Sequence, residues 1–134
     1  MAEMKVQEPG LLETLGNGVV VEHSEDPFKV VMEFDAEMNF CHSGGIVQGG
    51  FVTAWLDSAM SHAVILATGR TRVPSSLEIK VSFVKAANPG KVRAVGWVKH
   101  LGGKIAFLEG ELFNVSGELL ATSSSTAKLV NIST

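Results

Sequence analysis

The chain has 134 residues, of which 46 % are hydrophobic, and carries a formal net charge of −3. This length suits one domain with a core of its own, and the hydrophobic fraction is too high for a disordered chain. The slight acidic balance and the scattered Lys and Arg residues argue against a basic nucleic-acid-binding surface.

Three features bear on where the protein works. Cys41 is the only cysteine, so an intrachain disulfide is impossible. The first ten residues lack the apolar segment of a secretory signal. The longest apolar-rich stretch, residues 54–67, is shorter than the ~20 residues that cross a bilayer, and it contains Asp57 and His62. We therefore expect a cytoplasmic protein without a membrane span.

The first part of the chain predicts a helical turn and two strands. No internal repeat or linker divides residues 1–134, so we expect a single domain. Residues 8–16 suit a short helical turn that ends at Gly16, and the three valines at 19–21 are typical of a strand. Residues 28–34 alternate with period two, which predicts a second strand.

A glycine-rich segment and a long apolar helix follow. Residues 39–50 contain four glycines among polar residues, which predicts a loop that enters a helix at Gln48 or Gly49. From there to about Ala67, apolar side chains occur on nearly every side, and a helix of that kind is buried. Gly69 is placed to end this helix.

Strands account for the rest of the chain. The predicted strands are 77–83, 91–101, 104–114 and 118–130. Short turns at 88–90, 102–103 and 116–117 join them. One helix among runs of strands predicts an α+β fold with an antiparallel sheet. Such a sheet would wrap around the helix, because nothing else in a chain of this length can cover it.

Asp57 is the residue of the helix that most suggests chemistry. Aspartate is a poor helix former and is seldom buried without a partner. The neighbours on its face are smaller and more polar than the rest of the helix: Gly50, Thr53, Ala54, Met60 and Ser61. This face predicts a wet pocket, with the larger side chains turned towards the core. A structural carboxylate, satisfied by a hydroxyl or a backbone amide, explains the pattern about equally well.

The glycine pair at the start of the helix is the second feature. The first turn of a helix has unpaired N–H groups, and glycines let a ligand approach them closely. The Gly49 N–H could polarise a carbonyl group, although close packing of the loop explains a glycine here at least as well. Gly49 and Asp57 lie about 12 Å apart along the helix, at ~1.5 Å per residue. If both act on one small group, Asp57 must come from a neighbouring subunit.

Other polar residues give weaker signals. His42 could donate a hydrogen bond or exchange a proton near neutral pH, but a lone loop histidine is more often incidental. Ser76 opens the strand after the helix, where most serines are turn or solvent residues. No spacing of Cys, His and carboxylates predicts a metal site, and no glycine pattern matches a phosphate-binding fingerprint.

From His42 to Asp57 the sequence reads HSGGIVQGGFVTAWLD. This segment resembles the hotdog-fold acyl-CoA thioesterases of the phenylacetyl-CoA and 4-hydroxybenzoyl-CoA type. Their signature is Asn-x-x-Gly-x-x-His-Gly-Gly, followed by Asp or Glu seven residues after the final glycine. Gly45, Gly49, Gly50 and Asp57 match this signature, and the similarity extends more weakly through the four C-terminal strands.

The resemblance implies a hotdog fold, with subunits that pair their sheets and share active sites. It implies hydrolysis of aryl- or medium- to long-chain acyl-CoA to the free acid and CoA, without a cofactor beyond the substrate's own CoA. The Gly49 amide would polarise the thioester carbonyl. Asp57 of the other subunit would act as general base or nucleophile. Ser76 aligns with a serine that orients water in some members, and Ser61 with a position that carries a hydroxyl in some.

Two positions depart from the signature, because His42 replaces the usual Asn and Gln48 replaces the usual His. Both side chains can still form hydrogen bonds, so the resemblance predicts a retuned site with a pH dependence from the imidazole. The predicted catalytic residues are Asp57, Gly49, His42 and Ser76. The predicted substrate-binding residues are Gln48, Gly50 and Ser61.

Two other functions remain as alternatives. An acyl-CoA binding or sensing protein on the same scaffold would bind without turnover, and replacement of Asp57 would then barely matter. A hotdog hydratase or dehydratase pairs a catalytic His with a carboxylate in an arrangement that we do not find in this sequence. We expect a homo-oligomer, either a dimer or a homotetramer made of two dimers.

The acyl and nucleotide subsites are not identified by the sequence. Phe51, Trp55 and Met60 could shape an acyl pocket, but a role in the core fits them better. Arg70 and Arg72 follow the helix and could meet phosphates, but an ordinary solvated loop is at least as consistent with them.

Overall fold

The computed structural model of the protein describes residues 10–132. Helix α1 spans Leu11–Thr14 and helix α2 spans Gly49–Ala67. The strands are β1 Val19–Ser24, β2 Lys29–Ala36, β3 Cys41–His42, β4 Ile46–Val47, β5 Arg72–Phe83, β6 Gly90–Leu101, β7 Ile105–Asn114 and β8 Leu119–Asn131. The prediction about a secretory signal, and the first two residues of the predicted turn at 8–16, lie outside the described residues.

Six strands form one antiparallel sheet in the order β1-β2-β6-β7-β8-β5. Strands β6, β7 and β8 are neighbours in space as in sequence because short turns join them. Strand β5 lies beyond β8, at one edge of the sheet. The short strands β3 and β4 pair with each other outside this sheet.

Helix α2 packs against one face of the sheet and forms the centre of the core. The fully buried side chains that surround its axis include Met32, Phe34, Trp55, Leu56, Met60, Val64 and Leu112. The Phe34 and Trp55 rings stack with their centroids 6.0 Å apart. The Trp55 indole N–H donates to the Leu15 carbonyl at 2.7 Å, which ties the helix to the turn after α1.

Gly96 on β6 allows the helix to come close to the sheet. A Cβ at Gly96 would lie 2.4 Å from the backbone of Ala59 and Met60. No side chain fits in that space, so the helix backbone rests almost directly on the strand. Within residues 10–132, α2 is also the one helix with the length and hydropathy of a membrane-spanning segment, but here it is the core helix of the fold.

This architecture confirms the predicted α+β hotdog fold. The long helix begins at Gly49 as expected, and residue Gly69 after it has a left-handed φ of 62°. The predicted loop over 39–50 contains more structure than expected, since β3 and β4 occur there, together with 3₁₀ turns over Met38–Phe40 and Ser43–Gly45.

Strand β5 differs from its prediction in length and regularity. It begins at Arg72 rather than at residue 77, because Pro74 and the two serines that follow hide the strand pattern in the sequence. A register shift between Ser76 and Glu78 interrupts its pairing with β8, which is typical of a β-bulge. Leu77 lies at this shift and is 62 % exposed.

Candidate active site

Backbone hydrogen bonds fix the entry to helix α2. The Val47 N–H donates to the Ala87 carbonyl and the Gln48 N–H to the Phe40 carbonyl, both at 2.9 Å. The Asn88 side-chain amide donates to the Gly45 carbonyl at 3.1 Å. These contacts hold the glycine-rich segment in one position, so the first turn of the helix points in a defined direction.

Gln48 caps the helix and leaves one amide free. Its side-chain oxygen accepts from the Gly50 N–H at 3.0 Å. The Gly49 N–H donates to no acceptor within residues 10–132. The helix dipole adds partial positive charge at this end. Gly49 is therefore the available donor for an outside carbonyl, whereas the Gly50 amide is already used by the cap.

A groove of ≈ 330 Å³ opens beside Gly49. Its polar lining residues include His42 and Lys85. Its apolar lining residues include Ile46, Val47, Val52, Phe83, Val84 and Leu120. The structure thus brings two of the predicted catalytic residues, Gly49 and His42, to one site. It also identifies Phe83 as a lining residue that the sequence analysis missed, because it read as one more apolar residue in an alternating strand.

Asp57 lies two turns further along α2, where it is partly buried against β5. The Ser76 hydroxyl donates to its Oδ1 at 3.4 Å. Burial raises the pKa of the Asp57 carboxyl above its ordinary value, and the hydrogen bond from Ser76 lowers it in part. Once ionised, a carboxylate with a raised pKa is a stronger base than an exposed aspartate.

The β-bulge in β5 accounts for the position of Ser76. The pairing of β5 with β8 is regular up to Ser76 and resumes at Glu78. A bulge changes the direction of the neighbouring side chains. Here it coincides with the serine that contacts Asp57, so the structure brings these two predicted catalytic residues together within one subunit.

The face of α2 around Asp57 was predicted to line a wet pocket, and the structure departs from that prediction at one residue, Met60. Thr53, Ala54, Asp57 and Ser61 are all partly buried rather than sealed in the core. Met60 was expected on this face but is fully buried, and its sulfur contacts the Ser123 hydroxyl at 3.6 Å.

The two groups of predicted residues do not meet within one subunit. Gly49 and His42 line the groove, and Asp57 is not among its lining residues. Along one helix the separation of Gly49 and Asp57 is about 12 Å at ~1.5 Å per residue, so a single carbonyl carbon cannot contact both. Within one chain, these two groups of predicted residues therefore lie at different positions.

The remaining predictions concern side chains near the core. Trp55 and Met60 are fully buried, and Phe51 stacks on Phe40 with centroids 4.2 Å apart, so all three serve the core. Arg72 donates to the Gly103 carbonyl of the β6–β7 hairpin. Within residues 10–132, no group of His, Cys, Asp and Glu side chains is arranged to hold a metal ion.

Comparisons with known proteins identify the family of the chain and agree with its fold. The sequence model of a family described as Thioesterase superfamily matches residues 44–121. A comparison with curated proteins returned no significant match.

Solved structures from several organisms share the fold. A phenylacetic acid degradation-related protein from Ralstonia eutropha is 26 % identical, with a TM-score of 0.84 over 92 % of each chain. Zebrafish thioesterase superfamily member 2 is 24 % identical, with a TM-score of 0.79 over 91 % of this chain and 88 % of that one. The PaaI protein of the Escherichia coli phenylacetic acid degradation operon is 13 % identical, with a TM-score of 0.78 over 91 % and 86 % of the two chains.

Proposed function

Because this chain belongs to the thioesterase superfamily, we propose that it hydrolyses aryl- or medium- to long-chain acyl-CoA to the free acid and CoA. The observation that carries the proposal is a desolvated helix carboxylate, Asp57, on the same helix whose first amide, at Gly49, has no acceptor among the described residues. A base of raised pKa and an unpaired N–H are the two groups that thioester hydrolysis needs.

The chemistry follows from these two groups. The Gly49 N–H would donate to the thioester oxygen and stabilise the negative charge that develops there. The Asp57 carboxylate would take a proton from a water molecule while the water oxygen bonds to the carbonyl carbon. The carbon–sulfur bond then breaks, and CoA leaves as a thiolate that takes up a proton. Direct attack by the carboxylate, followed by hydrolysis of the anhydride, uses the same two groups.

The separation of the two halves supports a site built by two subunits. Strand β5 pairs only with β8 among the described residues, so its other edge has free N–H and C=O groups. Both halves of the site lie along this strand, since Ser76 contacts Asp57 and Phe83 stands next to Gly49. A second copy paired along β5 would thus lie beside both.

Two-fold symmetry along this edge would complete the site. Ile79 is three residues from Ser76 and four from Phe83. An antiparallel β5–β5 pair with its two-fold axis near Ile79 would bring Ser76 and Asp57 of one copy towards Phe83 and Gly49 of the other. Closed two-fold dimers are the commonest oligomers, and the same contact would occur in a dimer of dimers.

Supporting roles follow for the other predicted residues. Ser76 would orient the attacking water next to Asp57. His42 would face the substrate from the groove. Gln48 would act through the helix cap, which keeps the Gly49 amide as the unpaired one. Ser61, one turn beyond Asp57 and partly buried, would offer its hydroxyl to the substrate.

The test is release of thiol from a panel of aryl- and fatty acyl-CoA esters, with wild type and Asp57→Asn measured side by side. We expect kcat of the variant to fall by about 10²–10⁴-fold, the usual contribution of a general base. Circular dichroism and sedimentation must show a variant that is folded and assembled like wild type. A wild-type protein that binds acyl-CoA without hydrolysis would instead indicate the binding or sensing function.

A further inference from the structure

An aromatic ring lies against Gly49 at the start of α2. A Cβ built on Gly49 would lie 3.1 Å from Cζ of Phe83 and 3.4 Å from its Cε1. Phe83 is the last residue of β5, and its side chain is 59 % exposed. An exposed phenylalanine ring against a glycine that has an unpaired N–H limits what can approach that N–H.

The groove that begins at this ring is apolar along its walls and polar at its rim. Val47, Val52 and Leu120 are buried residues that form part of its lining. Lys85 also lines it, but its ammonium group is paired with the Glu118 carboxylate at the surface. The volume of ≈ 330 Å³ is at the small end of the ~300–1,000 Å³ that ligand pockets occupy.

We propose that this groove holds the acyl group of the substrate, and that the Phe83 ring limits the size of the acyl group. The inference rests on the proposed thioesterase function. A thioester carbonyl bound at the Gly49 N–H has two substituents, the acyl group and the pantetheine arm. The pantetheine arm has two amides and a hydroxyl, which apolar walls would leave without hydrogen-bond partners. The acyl group is the substituent that these walls match.

The position of the Phe83 ring predicts which acyl groups the groove accepts. An acyl group entering from the Gly49 N–H must pass beside Phe83, so short chains and single aromatic rings fit, and longer or fused-ring groups meet the ring. Removal of the ring in Phe83→Ala opens the groove at this point. We expect the ratio of kcat/KM for a large over a small acyl-CoA, such as naphthoyl over benzoyl, to rise about 10-fold or more. Phe83→Leu should give an intermediate ratio.

Phe107→Ala is the matched control. Phe107 is an exposed phenylalanine on β7, 45 % accessible, and it does not line the groove. Its removal should leave the acyl preference unchanged. An equal change in both variants would show a general effect of lost apolar surface and would contradict the proposal.

A second series separates the acyl group from the pantetheine arm. The same acyl groups are presented as CoA esters and as N-acetylcysteamine esters, which lack most of the arm. If the groove holds the acyl group, Phe83→Ala alters the acyl preference equally in both series. If Phe83→Ala instead changes the ratio of kcat/KM for the CoA ester over the N-acetylcysteamine ester by the same factor for every acyl group, the groove holds the pantetheine arm. In that case the proposal is wrong.

Failure of this inference and failure of the thioesterase function give different results. A wild-type enzyme that hydrolyses acyl-CoA, with an unchanged preference in Phe83→Ala, overturns the inference alone. If wild type binds without hydrolysis, dissociation constants for the same panel replace kcat/KM, and the expected change in preference is the same. Because the proposed β5–β5 contact also passes Phe83, sedimentation is measured for each variant. Where Phe83→Ala dissociates, the still oligomeric Phe83→Leu must show the change in acyl preference, and an unchanged preference there overturns the inference.

Discussion

At the scale of single residues, the Asp57–Ser76 pair is the feature with the clearest physical consequence. Desolvation raises the pKa of the carboxyl, and the serine hydroxyl acts against desolvation by donating to the ionised form. The serine therefore favours the ionised form that a base requires. Ser76 also lies where it could hold water next to the carboxylate. It could therefore affect both the charge of Asp57 and the position of the attacking water.

The pH dependence of Ser76→Ala tests this pair. A base is active when ionised, so the acid limb of kcat should lie above that of an ordinary aspartate. Loss of the Ser76 hydrogen bond removes the contribution that lowers the pKa. The acid limb of the variant should therefore move to higher pH, and activity on the acid side should fall more than on the plateau. The measurement is kcat across pH for wild type and variant.

Ser75→Ala is the control for this shift, since Ser75 is the exposed neighbour on the same strand and, among the described residues, Ser76 rather than Ser75 donates the hydrogen bond to Asp57. Its profile should overlay that of wild type. An acid limb that stays in place in Ser76→Ala, or moves to lower pH, would show that the hydroxyl does not stabilise the ionised carboxylate.

Residue-level prediction from sequence depended on local signals. Asp57 was identifiable as a carboxylate in an apolar helix, and Gly49 as a glycine at a helix start. The family resemblance alone singled out Ser76, and its contact with Asp57, 19 positions away, was not predicted. No local sequence pattern indicated a role for Phe83, since its position against Gly49 depends on how β5 crosses the helix start.

At the scale of elements, the close contact between α2 and the sheet is what fixes the site. Gly96 lets the helix backbone approach β6, and the bulge in β5 directs Ser76 towards the same helix. Helix and strands thus determine the distance between Asp57 and its partner.

Gly96→Ala should disturb this contact. The new methyl group would lie 2.4 Å from backbone atoms of Ala59 and Met60, which cannot move aside as a side chain would. We expect a loss of about 1–3 kcal/mol in the free energy of unfolding, the usual effect of overpacking, and a lower kcat as the helix shifts. Urea unfolding followed by circular dichroism measures the first effect.

Gly103→Ala is the matched substitution, because a Cβ there meets nothing within 4 Å. Its unfolding free energy should stay within about 0.5 kcal/mol of wild type. Equal stability of Gly96→Ala and Gly103→Ala would mean that the helix does not rest on β6 as closely as described.

Element-level prediction followed the strength of the periodic pattern. Helix α2 and strands β6, β7 and β8 were predicted within one or two residues, because their apolar periodicity and flanking turns agree. The pair β3–β4 was missed, since two-residue strands have no period to detect. The start of β5 was missed because Pro74 and two serines interrupt the apolar alternation.

At the scale of the whole molecule, sequence alone could give the fold class but only part of the site. A buried helix in a short chain requires a sheet around it, which is why the architecture was predictable. In the proposed dimer, the completeness of the site depends on which copy supplies Asp57, and that depends on contacts between chains. Because Asp57 and Gly49 are about 12 Å apart on one helix, a site that uses both requires Asp57 from a second copy.

Mixed oligomers of two inactive variants test this argument. Gly49→Pro removes the amide hydrogen with little expected harm to the helix, because proline is favoured at the first helical position. Gln48 before it has φ −65° and ψ 137°, which is compatible with a following proline. Gly49→Ala is the control, since it adds the same Cβ next to Phe83 but keeps the N–H. It should retain more activity than Gly49→Pro.

Gly49→Pro and Asp57→Asn should each be inactive alone, yet active when co-expressed or refolded together. In a two-fold dimer of one copy of each, one shared site carries both defects and the other carries neither. Random pairing should therefore restore about a quarter of wild-type activity, because half of the dimers would be mixed and each would have one intact site. A mixture no more active than its two components, with mixed dimers verified by tags, would place Gly49 and Asp57 in separate functions and leave Asp57 without its proposed partner.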